Sequence, residues 1–317
     1  MKKAERGEYR ITRNEKIGSG IYEICLEAPD IVGAAAAGQF VNVYLSGGEM
    51  LLPRPISIAD ADDETLILVY AVVGKGTRAL AGYNAGSRLE VMGPLGTGFF
   101  DYEGDAGLLR DTSNDKESAR NDGGDAGLLR FARNDVESAR NDKKTLLLIG
   151  GGTGIPPLHF AARKARDEWQ SNVNIVAALG YPESPWYEKE FEKVCDEVYI
   201  ASERRGDAPF TGNVVELLRT HDEGEAGLLR DARNDGGSAR NNEESDYLGA
   251  RTGLALACGP LAMLEAAYEW CAAGGIPLRV SMEQRMGCGY GACSGCMING
   301  KKVCADGPVF WAGEVFT

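Results

Sequence analysis

The strongest constraint on the fold of this 317-residue chain is a cluster of cysteines near its end. Four of its eight cysteines fall within seventeen residues, at Cys288, Cys293, Cys296 and Cys304. Glycines at positions 287, 289, 291 and 295 allow a tight loop around the first three. In a chain without a secretory signal, thiols crowded in this way indicate a metal site rather than disulfides. Both histidines, His159 and His221, lie far away in the sequence, so sulfur atoms would have to hold the metal.

The spacing of these cysteines favours one kind of metal centre. C-x4-C-x2-C followed by a fourth cysteine is the plant-type pattern of [2Fe–2S] clusters. Structural zinc is the alternative, although its sites more often show two short C-x2-C pairs. Exposed backbone amides in the glycine-rich loop would donate hydrogen bonds to the sulfur atoms and tune the reduction potential. We therefore expect the four cysteines to be metal ligands, with iron–sulfur favoured over zinc.

A glycine-rich turn lies in the middle of the chain, between a predicted strand at residues 145–149 and a predicted helix at residues 156–169. It consists of Gly150, Gly151, Gly152, Thr153 and Gly154, followed by Ile-Pro-Pro-Leu. Glycines let a backbone approach a ligand closely, and the free amides that begin a helix favour a phosphate. The spacing differs from the GxGxxG fingerprint, so a dinucleotide site and a turn without a ligand both remain open.

Two further segments bear on a nicotinamide site. Cys258, Gly259 and Pro260 follow a predicted strand at the carboxyl edge of the same sheet, where such folds bind ligands. Cys258 therefore either borders a nicotinamide or is a small buried thiol without chemistry. Residues 180–184 offer a carboxylate and no arginine, which favours NAD over NADP.

A third group of motifs lies in the first hundred residues. Its members are Arg54, Pro55, Ile56 and Ser57, then Val69, Tyr70 and Ala71, then Gly76 and Thr77. Arg54 can pair with a phosphate through two hydrogen bonds, and Ser57 can hydrogen-bond a ring heteroatom. Gly76 and Thr77 begin a short predicted helix and form a possible second anion-binding turn. An ordinary strand and turn is the alternative.

The order of apolar runs predicts three parts. Short runs separated by Gly, Pro and Asp predict an antiparallel β-barrel over residues 1–102. Alternating strands and helices predict an α/β domain with a parallel sheet over residues 143–275, and a small cluster domain follows at 276–317. Near-identical repeats at residues 105–122, 125–142 and 225–242 are polar apart from a Leu-Leu pair. We expect them to be weakly ordered insertions, at 103–142 and 223–244, with a partner-docking element as the alternative.

Composition excludes two classes of partner. A net charge of −13 argues against nucleic acid, which requires clustered Lys and Arg. No apolar run is long enough to span a bilayer, so we expect no membrane insertion. The start of the chain lacks the apolar stretch of a signal peptide, and the expected location is cytoplasmic.

In this order the motifs resemble those of the ferredoxin–NADP reductase superfamily. More narrowly, they resemble the electron-transfer subunits of NAD-dependent (type B) dihydroorotate dehydrogenase. The resemblance covers residues 8–100, 143–222 and 245–317 and rests on RPISIAD, VVGKGT, MGPLGTGF, LLLIGGGTGIPPL, ACGP, GCGYGACSGCM and VCADGPVF. Ala71 stands where related chains often have arginine, and the interval from Cys296 to Cys304 is shorter than usual.

The resemblance implies a set of cofactors and a partner. FAD would bind the barrel through the residues of the third group, the four clustered cysteines would ligate one [2Fe–2S] cluster, and NAD would accept the hydride. The implied partner is an FMN-containing dihydroorotate dehydrogenase catalytic subunit, in a heterotetramer of two plus two that serves pyrimidine biosynthesis. The alternatives are a subunit of a sulfide dehydrogenase or of an NADH-dependent ferredoxin:NADP oxidoreductase, and a non-catalytic metal-dependent binding module.

Overall fold

The structure is a computed structural model, and it describes residues 4–45, 51–101, 109, 143–222 and 248–316. Apart from Leu109, the three repeats lie outside the described residues, so the predictions about them stay predictions. Over the ranges that are described, no helix is long and apolar enough to cross a membrane.

The first part of the chain forms a closed antiparallel barrel. Its strands follow the order β1-β2-β5-β4-β3-β6 around the barrel. Their bounds are β1 Glu5–Gly18, β2 Ile21–Glu27, β3 Phe40–Tyr44, β4 Arg54–Asp62, β5 Thr65–Ala71 and β6 Arg88–Leu95. Two short helices, α1 Pro29–Val32 and α2 Lys75–Leu80, connect strands. The predicted barrel is confirmed. Strand β1 is not recognisable from its apolar residues alone, because charged residues are interspersed along it.

The second part is a twisted sheet in the order β10-β9-β8-β7-β11-β12-β15. The pairs from β10 to β12 are parallel, whereas β15 runs antiparallel to β12. The strands are β7 Thr145–Gly151, β8 Asn174–Tyr181, β9 Glu197–Ser202, β10 Phe210–Thr211, β11 Thr252–Cys258, β12 Leu278–Ser281 and β15 Val309–Trp311. The helices of this part are α3 Ile155–Trp169, α4 Glu188–Phe191, α5 Val214–Asp222, α6 Leu248–Arg251 and α7 Leu261–Ala273.

The cysteine-rich segment lies between β12 and β15, the two strands that extend the sheet. It contains the hairpin β13 Met297–Ile298 and β14 Lys301–Lys302, helix α8 Val303–Asp306 and, after β15, helix α9 Ala312–Val315. Its cysteines Cys296 and Cys304 belong to the apolar core on one face of the sheet, while α3 and the barrel interior share the core on the other face. The predicted fold class is confirmed, and the domain boundaries stay predictions.

Two local predictions differ from the structure. The sequence pattern of residues 186–195 predicts one helix, but only α4 is helical, because its flanks form turns in which Trp186 and Tyr187 pack against neighbouring rings. The strand β15 was not expected, because a three-residue strand carries too short an apolar pattern to be recognised.

A buried ion pair joins the barrel to the sheet domain. Asp60, near the end of β4, is only 7% exposed, and the Arg163 guanidinium on α3 donates to its carboxylate from Nε at 3.0 and 3.1 Å and from Nη2. Arg163 Nη2 also donates to the carbonyl oxygen of Ala61 at 2.7 Å. His159, one turn earlier on α3, has its Nδ1 atom 3.5 Å from Asp60, and burial lowers the pKa of its imidazole. The pair therefore fixes α3 against β4.

We expect Asp60→Asn to lower the free energy of unfolding by about 3 kcal/mol, because it leaves the Arg163 guanidinium without its buried counterion. The matched control is Asp167→Asn, which removes the exposed carboxylate 3.6 Å from the same guanidinium and should change stability by less than about 1 kcal/mol. Urea unfolding of both variants measures the difference. Equal effects of the two substitutions would contradict the role assigned to the buried pair.

Candidate functional site

A cavity of about 350 Å³ opens where the barrel, the glycine-rich turn and the segment before the cysteines meet. Because β4 and β5 are neighbours in the barrel, residues far apart in sequence converge on it. The predicted residues that line it are Arg54, Pro55, Ile56, Ser57, Val69, Tyr70, Ala71, Thr77 and Thr153. The structure thus brings the RPIS motif, the second strand motif and the glycine-rich turn to one place.

The Arg54 side chain lies over the start of α2, and Gly76 makes room for it. A Cβ atom built on Gly76 would overlap the Arg54 guanidinium, so no other residue fits there without displacing the arginine. Arg54 also donates to the carbonyl oxygen of Leu52. A guanidinium held in this way at the wall of a cavity suits a phosphate group. Gly76 therefore acts on the cavity through Arg54 rather than by lining it.

Thr77 and Tyr70 are held by their own hydrogen bonds. The Thr77 hydroxyl accepts the backbone N–H groups of Val73 at 3.0 Å and Gly74 at 3.2 Å, and so fixes the turn before α2. The Tyr70 hydroxyl donates to Asn14 Oδ1 at 3.0 Å, and burial raises the pKa of Tyr70 to about 12. Tyr70 therefore offers the cavity a neutral aromatic wall.

The glycine-rich turn and the Cys258 segment are in contact at the carboxyl edge of the sheet. Gly150 and Cys258 are paired across β7 and β11. A Cβ atom on Gly154 would overlap the backbone of Cys258, and one on Gly151 would lie 3.1 Å from Pro260. Close approach of the two segments therefore requires glycine at these positions. Of the predicted nicotinamide residues, Thr153 lines the cavity and the others do not.

Helix α3 begins directly after this turn, with Pro156 in its first turn. Proline is favoured there because its missing N–H would have no helical partner. The remaining free amides and the helix dipole point toward the glycine-rich turn, which favours a phosphate at this end. The geometry fits the predicted dinucleotide site.

Cys258 is buried and does not reach the cavity itself. Burial raises the pKa of its thiol to about 12, which a hydrogen bond from Ser281 only partly offsets, so the thiol is neutral at physiological pH. Ser281 does line the cavity, next to Glu283, and burial raises the pKa of the Glu283 carboxyl. Of the two interpretations of Cys258, the buried thiol describes its position better, because Ser281, which bonds the thiol, lines the cavity and Cys258 does not.

Residues 180–184, the predicted ribose end, form a hydrogen-bonded loop. The Ser184 hydroxyl donates to Asp207 at 2.7 Å, and Asp207 also lies 3.7 Å from the Arg204 guanidinium. An arginine therefore does stand at this edge, contributed by the turn after β9, but a carboxylate already engages it. The absence of arginine on which the preference for NAD was based therefore does not hold for this edge, and the preference stays a prediction.

The four clustered cysteines are held in two pairs. The Cys293 side chain lies beside Cys288, and the Cys304 side chain lies beside Cys296. Among the described residues, no three His, Cys, Asp or Glu side chains surround a point in the manner of ligands to one metal ion. Two pairs of thiols match the donor set of a centre with two irons, each of which takes two cysteines.

Local structure brings Cys296 and Cys304 together. The hairpin β13–β14 turns at Asn299 and Gly300, both with positive φ, and returns the chain so that Val303 N–H bonds the Cys296 carbonyl at 3.0 Å. This tight hairpin explains how the short interval before Cys304 is bridged.

Backbone amides already point at two of the sulfur atoms. Gly291 N–H donates to Cys304 Sγ at 3.2 Å, and Cys293 N–H donates to Cys288 Sγ at 3.3 Å. Burial opposes ionisation of Cys288, but hydrogen bonds from the amides of residues 293, 290 and 292 and from the Cys293 thiol lower its pKa to about 6. Such donors stabilise thiolates, the form that binds metal. The segment therefore fits an iron–sulfur centre.

Several residues that border these sites were not recognised from the sequence, among them Ser281, Glu283 and Asn42. Ser281 and Glu283 reach the cavity because β12 ends beside it, and no motif marks them. Asn42 is fully buried on β3 and contacts the cysteine loop, 246 residues further along the chain. A polar residue within the apolar run at 39–45 is the only signal that distinguishes Asn42, and it does not identify the contact.

Sequence comparison places the chain among known proteins. The model of the iron–sulfur cluster binding domain of dihydroorotate dehydrogenase B matches residues 283–316. The "Dihydroorotate dehydrogenase B (NAD(+)), electron transfer subunit" of Bacillus cereus (strain AH187) is 30% identical over 322 aligned positions, which cover 96% of each chain. The chain belongs to the family of these electron transfer subunits. This membership confirms the resemblance inferred from the motifs.

Solved structures share the fold at lower identity. The NADH-dependent reduced ferredoxin-NADP oxidoreductase matches with a TM-score of 0.65 and 23% identity over 97% of this chain and 89% of that one. A ferredoxin NADP+ reductase from Neisseria gonorrhoeae, with bound FAD and NADP, matches with a TM-score of 0.54 and 14% identity over 85% of this chain and 92% of that one. They confirm a fold of the ferredoxin–NADP reductase type.

We expect Gly76→Ala to weaken FAD binding by about tenfold or more, because its Cβ would displace Arg54 and remove a charge-assisted hydrogen bond. Gly74→Ala is the matched control, since nothing lies within 4 Å of a Cβ at that position. Fluorescence titration of the flavin-free chain with FAD measures both affinities. Equal affinity of the two variants would show that Arg54 does not hold the flavin.

We expect Gly154→Ala to raise the KM for NADH roughly tenfold or more, because the new Cβ would push the turn away from Cys258 and misplace the bound dinucleotide. FAD content should stay at the wild-type level, since Gly154 does not line the flavin cavity. Steady-state NADH oxidation with ferricyanide as acceptor measures the effect. An unchanged KM would place the nicotinamide elsewhere.

Proposed function

We propose that this chain is the electron transfer subunit of an NAD-dependent dihydroorotate dehydrogenase, with FAD, one [2Fe–2S] cluster and NAD as its cofactors. One observation carries the proposal: a single cavity is lined by the RPIS motif, by Thr153 of the glycine-rich turn and by Met286, which precedes Cys288 by two residues. Flavin, nicotinamide and cluster sites are thereby neighbours in one chain. The proposed reaction, oxidation of dihydroorotate with NAD+ as acceptor, is the one for which the related electron transfer subunits are named.

The protein's own residues bind and orient the cofactors. Arg54 would hold a phosphate of FAD, the β4 and β5 backbones would flank its ring, and the glycine-rich turn would seat the dinucleotide next to it. When bound, FAD exchanges a hydride with nicotinamide and single electrons with an iron–sulfur cluster. The neutral Cys258 thiol and the neutral Tyr70 phenol cannot act as bases near pH 7, so these two groups shape the site.

The cysteines would hold the cluster in their observed pairs, Cys288 with Cys293 and Cys296 with Cys304. The loop that carries the first three also meets the surface, since Tyr290 is 52% and Met297 40% exposed. A second cavity, of about 1000 Å³, is lined by Tyr290, Cys304 and Ala305. We infer that the catalytic subunit, which holds FMN and oxidises dihydroorotate, docks on this face and delivers its electrons to the cluster.

The overall reaction then balances in two electrons. Dihydroorotate loses two electrons and two protons on the catalytic subunit, and NAD+ takes two electrons and one proton as a hydride on this chain, so that one proton is released. A function as an NADH-dependent ferredoxin:NADP oxidoreductase subunit has less support, since the likeness to that enzyme is one of fold at 23% identity.

The decisive experiment is Cys293→Ala, assayed with a candidate FMN subunit. Dihydroorotate-dependent reduction of NAD+ should fall by more than the roughly 100-fold that loss of an outer-shell partner costs a metal site. NADH oxidation by ferricyanide should persist, because it requires only the flavin.

The control is Cys195→Ala, which removes a half-buried thiol distant from the clustered cysteines in sequence and should alter neither activity. Survival of both activities in Cys293→Ala would show that electrons do not pass through the cluster. A wild-type complex that does not oxidise dihydroorotate would overturn the proposed function itself.

A further inference from the structure

We propose that Asn42 is a positioning residue that fixes the cluster loop, residues 287–296, against the flavin-binding strands. This inference rests on the proposed function, because it concerns the relative placement of the flavin and cluster sites. Asn42 belongs to neither site, and its role follows from where β3 lies in the barrel.

Strand β3 stands between the flavin motif and the cysteine segment. Asn42 is paired with Pro55 of the flavin motif across β3 and β4. Residues two apart on a strand share a face, so Asn42 shares a face with Phe40, which lines the flavin cavity. Val41 and Val43 point to the other side and pack in the barrel interior. The outward face of β3 therefore carries both a wall of the flavin cavity and the contact to the cluster loop.

The contact itself is specific. Asn42 Nδ2 donates a hydrogen bond of 2.9 Å to the carbonyl oxygen of Cys288, and Asn42 has no exposed surface. The orientation of the amide is determined by its partner, because a carbonyl oxygen can only accept. The backbone of the first predicted ligand is thus tied directly to the strand beside Pro55.

The next residue of the loop is shaped to this contact. Gly289 has a φ of +73°, and a Cβ atom there would overlap the Asn42 carboxamide. Glycine is therefore required for two reasons, a left-handed backbone and the absence of a side chain. The backbone of Cys288 and Gly289 therefore packs directly against the Asn42 side chain.

Stability of the barrel does not explain an amide at this position. Within the described part of the chain, Asn42 Oδ1 is buried and has no hydrogen-bond partner. A buried polar atom without a partner lowers stability, and an apolar side chain would avoid that cost. What the amide provides is the link to Cys288. Asn42 is paired with Pro55 of the flavin motif and bonded to the backbone of Cys288. Loss of the bond to Cys288 would therefore change the separation between the flavin and the cluster.

The test compares Asn42→Leu and Asn42→Ala with Gln39→Ala in the full chain. Gln39 is the matched control, because its amide also bonds a backbone carbonyl, that of Gly96 at 2.8 Å, which lies outside the cluster loop. Hydrogen exchange of peptides from the cluster loop, measured by mass spectrometry on the chain with and without iron, shows whether the Asn42 hydrogen bond holds the loop in place. The rate at which a chelator removes iron shows whether that bond also stabilises the cluster.

Both Asn42 variants should show faster exchange in the cluster loop and release iron about tenfold faster, as expected for loss of an outer-shell contact. The Gln39 variant should match the wild type in both, and all variants should retain FAD. If both Asn42 variants show the exchange rates and the iron release of the wild type, the proposed positioning role of Asn42 is wrong. Absence of iron and flavin from the wild-type chain would instead contradict the proposed function, and exchange in the iron-free chain would still decide whether Asn42 holds the loop.

Discussion

The buried ion pair of Asp60 with Arg163 is the interaction on which the arrangement of the two halves depends. Asp60 lies near the end of the strand that begins with the RPIS motif, and Arg163 lies in the middle of the helix that begins after the glycine-rich turn. A strand and a helix are rigid, so this contact constrains where both elements begin. The flavin and nicotinamide motifs lie at those beginnings and are thereby held at a fixed separation.

A second constraint joins the barrel to the cysteine loop. The chain leaves the sheet after β12, passes the flavin cavity at residues 281–286 and enters the loop within two residues. The Asn42 amide meets it there. Both links use a buried polar group from a barrel strand, and each bonds a segment more than one hundred residues away. Because such groups are costly to bury unpaired, they specify one arrangement of the parts in a way that apolar contacts alone do not.

Much of this organisation could be predicted from the sequence, because the informative motifs are local. The cysteine spacing, the glycine-rich turn and the RPIS strand each carry their chemistry within about ten residues, and the hairpin at Asn299 and Gly300 explains the short interval before Cys304. Ser281 and Glu283 were not predictable, since they reach the cavity only through the pairing of β12 within the sheet. The role of Gly76 as the space for Arg54 likewise depends on a contact between residues 22 positions apart in the sequence.

The central claim is that one chain holds a flavin beside a centre with two irons bound by paired cysteines. The most direct test is to purify the chain without oxygen and quantify its FAD, iron, zinc and acid-labile sulfide. The account predicts iron and sulfide in equal amounts, each at twice the molar amount of FAD. A chain that carries zinc without sulfide, or a cluster without flavin, would contradict it.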